Sequence, residues 1–236
     1  MAISIDDVYQ KVLAIANKEQ RGYITPQEFN LFANKAQKEI FDSYFHDLKT
    51  SYHKPIKTDM TYGDEMDILS EKLHSFKTSS SWTQEATTST VDLPSDLYYI
   101  DVILINTTEV VELSKKEILY TESNPLTKAT SNRPVYVRGD SGATSNSITL
   151  YPALSSDATY YIHYYKKPSS PKWNYVVVKG KALYNANLSN NFDLHESEEE
   201  LLVTRILQLA GVSIEKMELY QVATADGASI KQSQND

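Results

Sequence analysis

The chain has 236 residues, 41% hydrophobic and 23% charged, a globular composition that excludes a fully disordered chain. A net charge of −8 gives little support to a protein held to nucleic acid by phosphate contacts, which would be basic. With no cysteine, disulfides, thiolate metal sites and cysteine nucleophiles are excluded.

Residues 1–76 are predicted to be helical. Ser4 and Asp7 make a capping-box-like start, and Ile5, Val8, Val12, Ile15 and Ala16 recur at helical spacing. Asp6, Asp7 and Lys11 argue against a signal peptide here. No run approaches the roughly 18 apolar residues of a membrane span, so a soluble protein of a cytosol-like compartment is expected. After a break at Gly22, Thr25, Pro26 and Glu28 supply an N-cap, a first-turn proline and a reciprocal cap. Phe29, Phe32, Ala33, Ala36, Ile40, Phe41, Tyr44 and Leu48 then continue one apolar stripe. A shorter helix is predicted over 65–76, carrying Ile68, Leu69, Leu73 and Phe76.

Residues 77–90 are Ser/Thr-rich with little to bury, which predicts a linker. A β-rich domain comes next, over 91–192. Strands are predicted at 97–105, 109–113, 134–138, 148–151, 158–166 and 173–178, with a short helix near 114–121. The first of these is apolar on nearly both faces, the mark of a central strand. In 160–165, alternation puts Tyr160, Ile162 and Tyr164 on one face and Tyr161, His163 and Tyr165 on the other. One face enters a core, and the other is either covered by a second sheet or presented to a partner. The chain's 17 tyrosines suit both half-buried sheets and protein interfaces.

From 193 to 236 the helical period returns. Glu196, Glu198, Glu199 and Glu200 crowd a helix start, where carboxylates favour the exposed amides. Leu201, Leu202, Ile206, Leu207, Leu209 and Ala210 continue it, with Gly211 as the expected C-cap. Ser213 caps a predicted final helix to about Gln232, whose thin apolar face of Ile214, Met217, Tyr220 and Ala223 needs a packing partner. The expected fold is α+β. N- and C-terminal helices form one bundle, with an antiparallel, sandwich-like β domain inserted. Phe29, Phe32, Ile40, Phe41, Leu202 and Ile206 are the expected helical core. Tyr161, His163, Tyr165, Ile214, Met217 and Tyr220 are the expected oligomer or partner interface.

Chemical motifs are weak. Residues 17–28 mimic a calcium loop, but Arg21 stands where position five needs an oxygen ligand, and Pro26 and Glu28 are helix-start chemistry. Gly139-Asp140-Ser141-Gly142 resembles a protease nucleophile segment, and Arg138-Gly139-Asp140 an adhesion tripeptide. The segment lies between two predicted strands, where such residues make a turn. His46, His53, His74, His163 and His195 include no zinc-helix pair, and no P-loop or dinucleotide fingerprint occurs. No catalytic residue, metal site or cofactor is expected.

The stretch Lys18-Glu19-Gln20-Arg21-Gly22-Tyr23-Ile24-Thr25-Pro26-Gln27-Glu28-Phe29-Asn30, with Ala36-Gln37, resembles the opening of virion structural proteins of tailed bacteriophages. Leu93-Pro94-Ser95-Asp96-Leu97, Arg133-Pro134-Val135-Tyr136, Tyr151-Pro152 and Tyr164-Tyr165-Lys166-Lys167-Pro168 fit their β-rich middle, and 198–214 with Ala210-Gly211-Val212 their terminal helices. The whole is similar to head-to-tail adaptor or tail-tube (neck) ring proteins of short-tailed phages, including the crAss-like group. The resemblance implies a ring of twelve copies between portal and tail, a helical bundle with a β domain, and no enzymatic activity. It implies DNA only as passing cargo, no membrane partner, and a place in the virion after assembly in the host cytoplasm. The competing expectation is a carbohydrate- or receptor-binding accessory module of a phage tail, anchored by aromatic residues near Trp82, Trp173 and Tyr175.

Overall fold

The computed structural model describes residues 3–18, 24–53, 59–83, 90–139, 147–153 and 159–213, with 224, 225 and 228. The chain is α+β. Three helices come first: α1 (Ile5–Lys18), α2 (Pro26–His53) and α3 (Asp59–His74). Next in the chain are β1 (Lys77–Thr83), β2 (Thr90–Asp92), β3 (Leu97–Ile105), β4 (Thr108–Glu109), β5 (Val111–Glu112) and α4 (Lys115–Ser123). The remaining elements are β6 (Val135–Arg138), β7 (Ser147–Tyr151), β8 (Thr159–Lys166), β9 (Tyr175–Val178), β10 (Lys181–Tyr184) and α5 (Glu199–Ser213). By internal contact the chain divides into a helical unit, Met1–Ser75 with Pro168–Asp236, and a β unit, Phe76–Lys167.

Capping places the first two helices. The Ser4 hydroxyl accepts from the Asp7 amide at 3.4 Å, and Asp6 and Asp7 sit where the helix dipole favours carboxylates. At the start of α2 the Glu28 carboxylate accepts from the Thr25 amide at 2.9 Å and hydroxyl at 2.7 Å, while the Glu28 amide donates to the Thr25 hydroxyl at 3.3 Å. α1 buries Ile5, Val8, Tyr9, Val12 and Ala16, but Ile15 is exposed. At 100° per residue Ile15 sits about 80° off the centre of that stripe, and Tyr9 fills the face instead. α2 buries Phe29, Ala33, Ala36, Ile40, Phe41 and Tyr44, with Phe32 half-buried. α5 packs on both α1 and α2 and buries Leu202 and Ile206. Gly211, expected to end α5, lies buried inside it. Packing of the surrounding turn outweighs the roughly 0.5–1 kcal/mol that glycine costs a helix interior. Ile214, Met217 and Tyr220 lie outside the described residues.

Three amide side chains on one face of α2 hold the chain where it re-enters the helical unit. Asn30 donates to the Trp173 carbonyl at 3.1 Å and accepts from the Trp173 amide at 2.7 Å. Asn34 donates to the Pro171 carbonyl at 3.1 Å. Gln37, itself buried, donates to the Ser169 carbonyl at 2.6 Å and accepts from the Asp193 amide at 3.1 Å. At positions i, i+4 and i+7 these side chains stand in a row along the helix and satisfy backbone groups that a neighbouring strand would otherwise pair. Residues 168–192, assigned to the β-rich domain by strand pattern, therefore belong with the helices.

The β unit is built from two four-stranded sheets, ordered β1-β8-β3-β4 and β2-β7-β6-β5. Val91, Ile148 and Leu150 of one sheet share a single hydrophobic cluster with Ile100, Ile103, Tyr160 and Ile162 of the other. Among the described residues the pairings of this unit are antiparallel except β5 with β6, which is parallel, a departure from the expected antiparallel domain. The predicted linker is corrected as well. Lys77–Thr83 is a full strand, paired along its length with β8 from Lys77↔Tyr165 to Thr83↔Thr159. Its Ser and Thr residues show no apolar alternation, so β8's unsatisfied edge selects the strand, rather than any intrinsic hydrophobic pattern.

In the helical unit the Lys72 ammonium lies 2.7 Å from a Glu198 oxygen, and the Glu198 side chain is almost fully buried. The Tyr44 hydroxyl is buried too, and burial first and the Glu198 charge second hold its ionisation far above the ordinary phenol range. Lys72→Met is therefore expected to cost about 3–5 kcal/mol, because it strands a buried carboxylate. Adding Glu198→Gln should return most of that loss. Urea denaturation of the single and double variants checks this, and equal stability of Lys72→Met and wild type would contradict it.

Candidate functional site

β8 lies between β1 and β3, and its alternation sorts its side chains onto two faces. Tyr160, Ile162 and Tyr164 are buried in the shared core. Tyr161 (40% exposed) lines the opposite face with His163 and Tyr165, both half-buried. The register places Ser81 and Leu104 beside Tyr161, Ser79 and Val102 beside His163, and Lys77 and Tyr99 beside Tyr165.

Two irregularities in β3 shape this face. Register shifts fall between Leu97 and Tyr99 and between Ile100 and Val102. Each adds one residue to β3 against β8, so the buried positions Leu97, Ile100 and Ile103 are three apart rather than two. The extra residues, Tyr98 and Asp101, are thereby exposed with Tyr99. A strand that reads as apolar on both faces thus presents Tyr98 and Tyr99 outward, with Val102 and Leu104 half-buried.

Electrostatics pin one corner of the face. Lys77 pairs with Asp101 at 2.7 Å, and its ammonium lies 5.9 Å from the centre of the Tyr165 ring. The Asp101 bond holds the Lys77 ammonium above its ordinary ionisation range, against the opposing effect of burial. The Tyr165 and Tyr99 rings lie 6.3 Å apart, tilted by 40°. On the inner face the Tyr164 hydroxyl donates to Asp96 at 3.1 Å, and burial pushes the Tyr160 phenol up to about 12. The result is an amphipathic face of aromatic and charged side chains on a fully paired strand. Sequence periodicity found Tyr161, His163 and Tyr165 but missed Lys77, Tyr98, Tyr99 and Asp101, because neither the β1 pairing nor the bulges leave a periodic signal.

The other candidates fare differently. Trp173 is only 3% exposed. Its indole N–H donates to Asp6 at 2.9 Å, and its ring stacks on Tyr175 at 5.6 Å and Tyr184 at 5.7 Å. It is therefore a core residue of the helical unit and no anchor for a glycan. The Trp82 side chain lies outside the described residues. Glu28, the last position of the calcium-loop mimic, is occupied in capping, which lowers its ionisation through the Thr25 amide and hydroxyl. Residues 140–142 of the Gly-Asp-Ser-Gly segment lie outside the described residues. Among the described residues no group of three or more His, Asp or Glu side chains is placed to hold a metal ion. Nor is any helix among them long and apolar enough to cross a membrane.

No family model matches the chain, and no curated protein matches it in sequence.

The tyrosines of the β unit set its response to alkali. Burial raises Tyr160, burial and the Asp96 bond raise Tyr164, and burial and a 2.9 Å bond to Glu112 raise Tyr136. In an unfolded chain all three ionise near 10, so the stability they lend is complete below about pH 10 and is lost as pH rises beyond it. The sheet signal in circular dichroism should fall between about pH 10 and 12, together with the last phenolate absorbance. Full ionisation of every tyrosine while sheet structure persists would refute this.

Proposed function

We propose that the chain is a virion structural protein, a ring-forming head-to-tail adaptor or neck subunit that joins portal to tail and lines the DNA passage of a short-tailed phage. In this reading the fold is a helical bundle carrying an inserted sandwich-like β unit, and twelve copies close the ring. One observation carries it: the aromatic face of Tyr99, Tyr161 and Tyr165 around His163, turned away from the shared core on a four-stranded sheet. Aromatic area of this kind is enriched where proteins meet proteins. The layout of helices around a β-rich middle supports the family resemblance, and a net charge of −8 suits a wall that lets DNA slide past. The protein acts by assembly, with itself and with portal and tail proteins, and performs no catalysis. The glycan-binding alternative is weakened by the burial of Trp173.

Tyr161→Asp with Tyr165→Asp tests this reading. Both side chains point away from the shared core, so the variant should still fold, with melting lowered only by the lost contacts of Tyr165 to Lys77 and Tyr99. Loss of interface anchors is worth about 2 kcal/mol or more, so self-association should weaken by about 30-fold or more in sedimentation velocity. Unchanged association of a folded variant would remove the face from the assembly surface.

A further inference from the structure

The β9–β10 hairpin stands as a two-stranded sheet of its own. Its turn is pre-set, with Lys179 at φ 52° and Gly180 at φ 78°, the left-handed pair that matches hairpin twist. Its root is fixed, because Tyr175 and Tyr184 stack on buried Trp173. The register pairs Tyr175↔Tyr184 and Val177↔Ala182 on that rooted face, and Val176↔Leu183 and Val178↔Lys181 on the other. The second face is uncovered, with Val176 and Leu183 each 52% exposed and Val178 46%, whereas the first is covered only at its tyrosine end and leaves Val177 63% exposed. A bare ribbon with three exposed aliphatic side chains on one face is marginal in water and gains from being covered.

Charge identifies what covers it. Residues 168–192 hold Lys172, Lys179 and Lys181 and no acid, in a chain of net charge −8, which leaves −11 on the rest. Within the helical unit, Glu199, Glu200 and Asp7 all act on the single ammonium of Lys11, which pairs with Glu199 at 2.7 Å. Asp7, Glu196 and Glu200 are exposed there. We propose that the Val176–Val178–Leu183 face docks on a second copy of the chain, with Lys179 and Lys181 set against the acidic start of that copy's α5. The two patches are different surfaces of one molecule, so the contact is head-to-tail, the geometry that builds rings or filaments rather than two-fold dimers. The inference rests on the reading of the chain as a self-assembling subunit and names the surfaces by which copies meet.

The test is a charge swap in the full-length chain, read by sedimentation velocity, with melting temperature as the folding control. Lys179→Asp with Lys181→Glu keeps a residue tolerant of positive φ at the turn. It should raise the concentration needed for assembly by about tenfold or more, as should Glu196→Lys with Glu200→Lys. The chain carrying all four substitutions should assemble again. Normal assembly of the folded hairpin variant, or failure of the folded fourfold variant to reassemble, overturns the proposal. If in the same experiment Tyr161→Asp with Tyr165→Asp abolishes assembly, the ring reading survives that failure. A wild-type chain monomeric at every concentration overturns both. Assembly unchanged in the hairpin variant but binding to phosphatidylserine vesicles lost would assign the hairpin to a lipid surface, against the proposal.

Discussion

The chain leaves the helical unit after Ser75 and returns at Pro168, and the hold on that return organises the packing of α1, α2 and α5. Asn30, Asn34 and Gln37 grip the backbone from Ser169 to Trp173, and Gln37 also holds Asp193. Each bond contributes only about 1 kcal/mol net, but leaving a buried partner unsatisfied costs about 1–3 kcal/mol, so the row behaves as a unit. With the backbone held, Trp173 packs at 4.4 Å from Tyr9, which lies 4.7 Å from Phe29. That aromatic cluster ties α1 to α2 and gives the hairpin its root. The same grip brings Phe192 to Ile3 in an isolated bridge and leads the chain into α5.

The helices were legible because each must bury a stripe. Phe29, Ile40 and Phe41 on α2 and Leu202 and Ile206 on α5 repeat at helical spacing and are buried. The capping residues Thr25 and Glu28 were legible for the same local reason. What escaped was set by partners distant in sequence. β1 is a strand because β8 lies beside it, α5 continues through Gly211 because α1 and α2 cover it, and the return segment joins the helices through three amides no periodicity distinguishes. Of the candidate face, the β8 half was visible as alternation. The β3 half was hidden by two register shifts that make outward residues read as core.

Among the described residues each unit has an open apolar surface: the tyrosine face of β8 and β3, and the valine face of the hairpin. The first stands on a four-stranded sheet over a packed core, while the second is a two-stranded ribbon held at one end by its stacked aromatic root. A surface braced by a packed sheet loses little conformational freedom on docking, which favours association for a given area. This combination fits a protein whose work is to be built into something larger.

The most direct measurement is electron microscopy of the purified native protein with rotational averaging of the particles. A ring-forming subunit should give closed rings with a central opening and a mass many times that of one chain. Monodisperse single chains at every concentration would contradict a role in assembly.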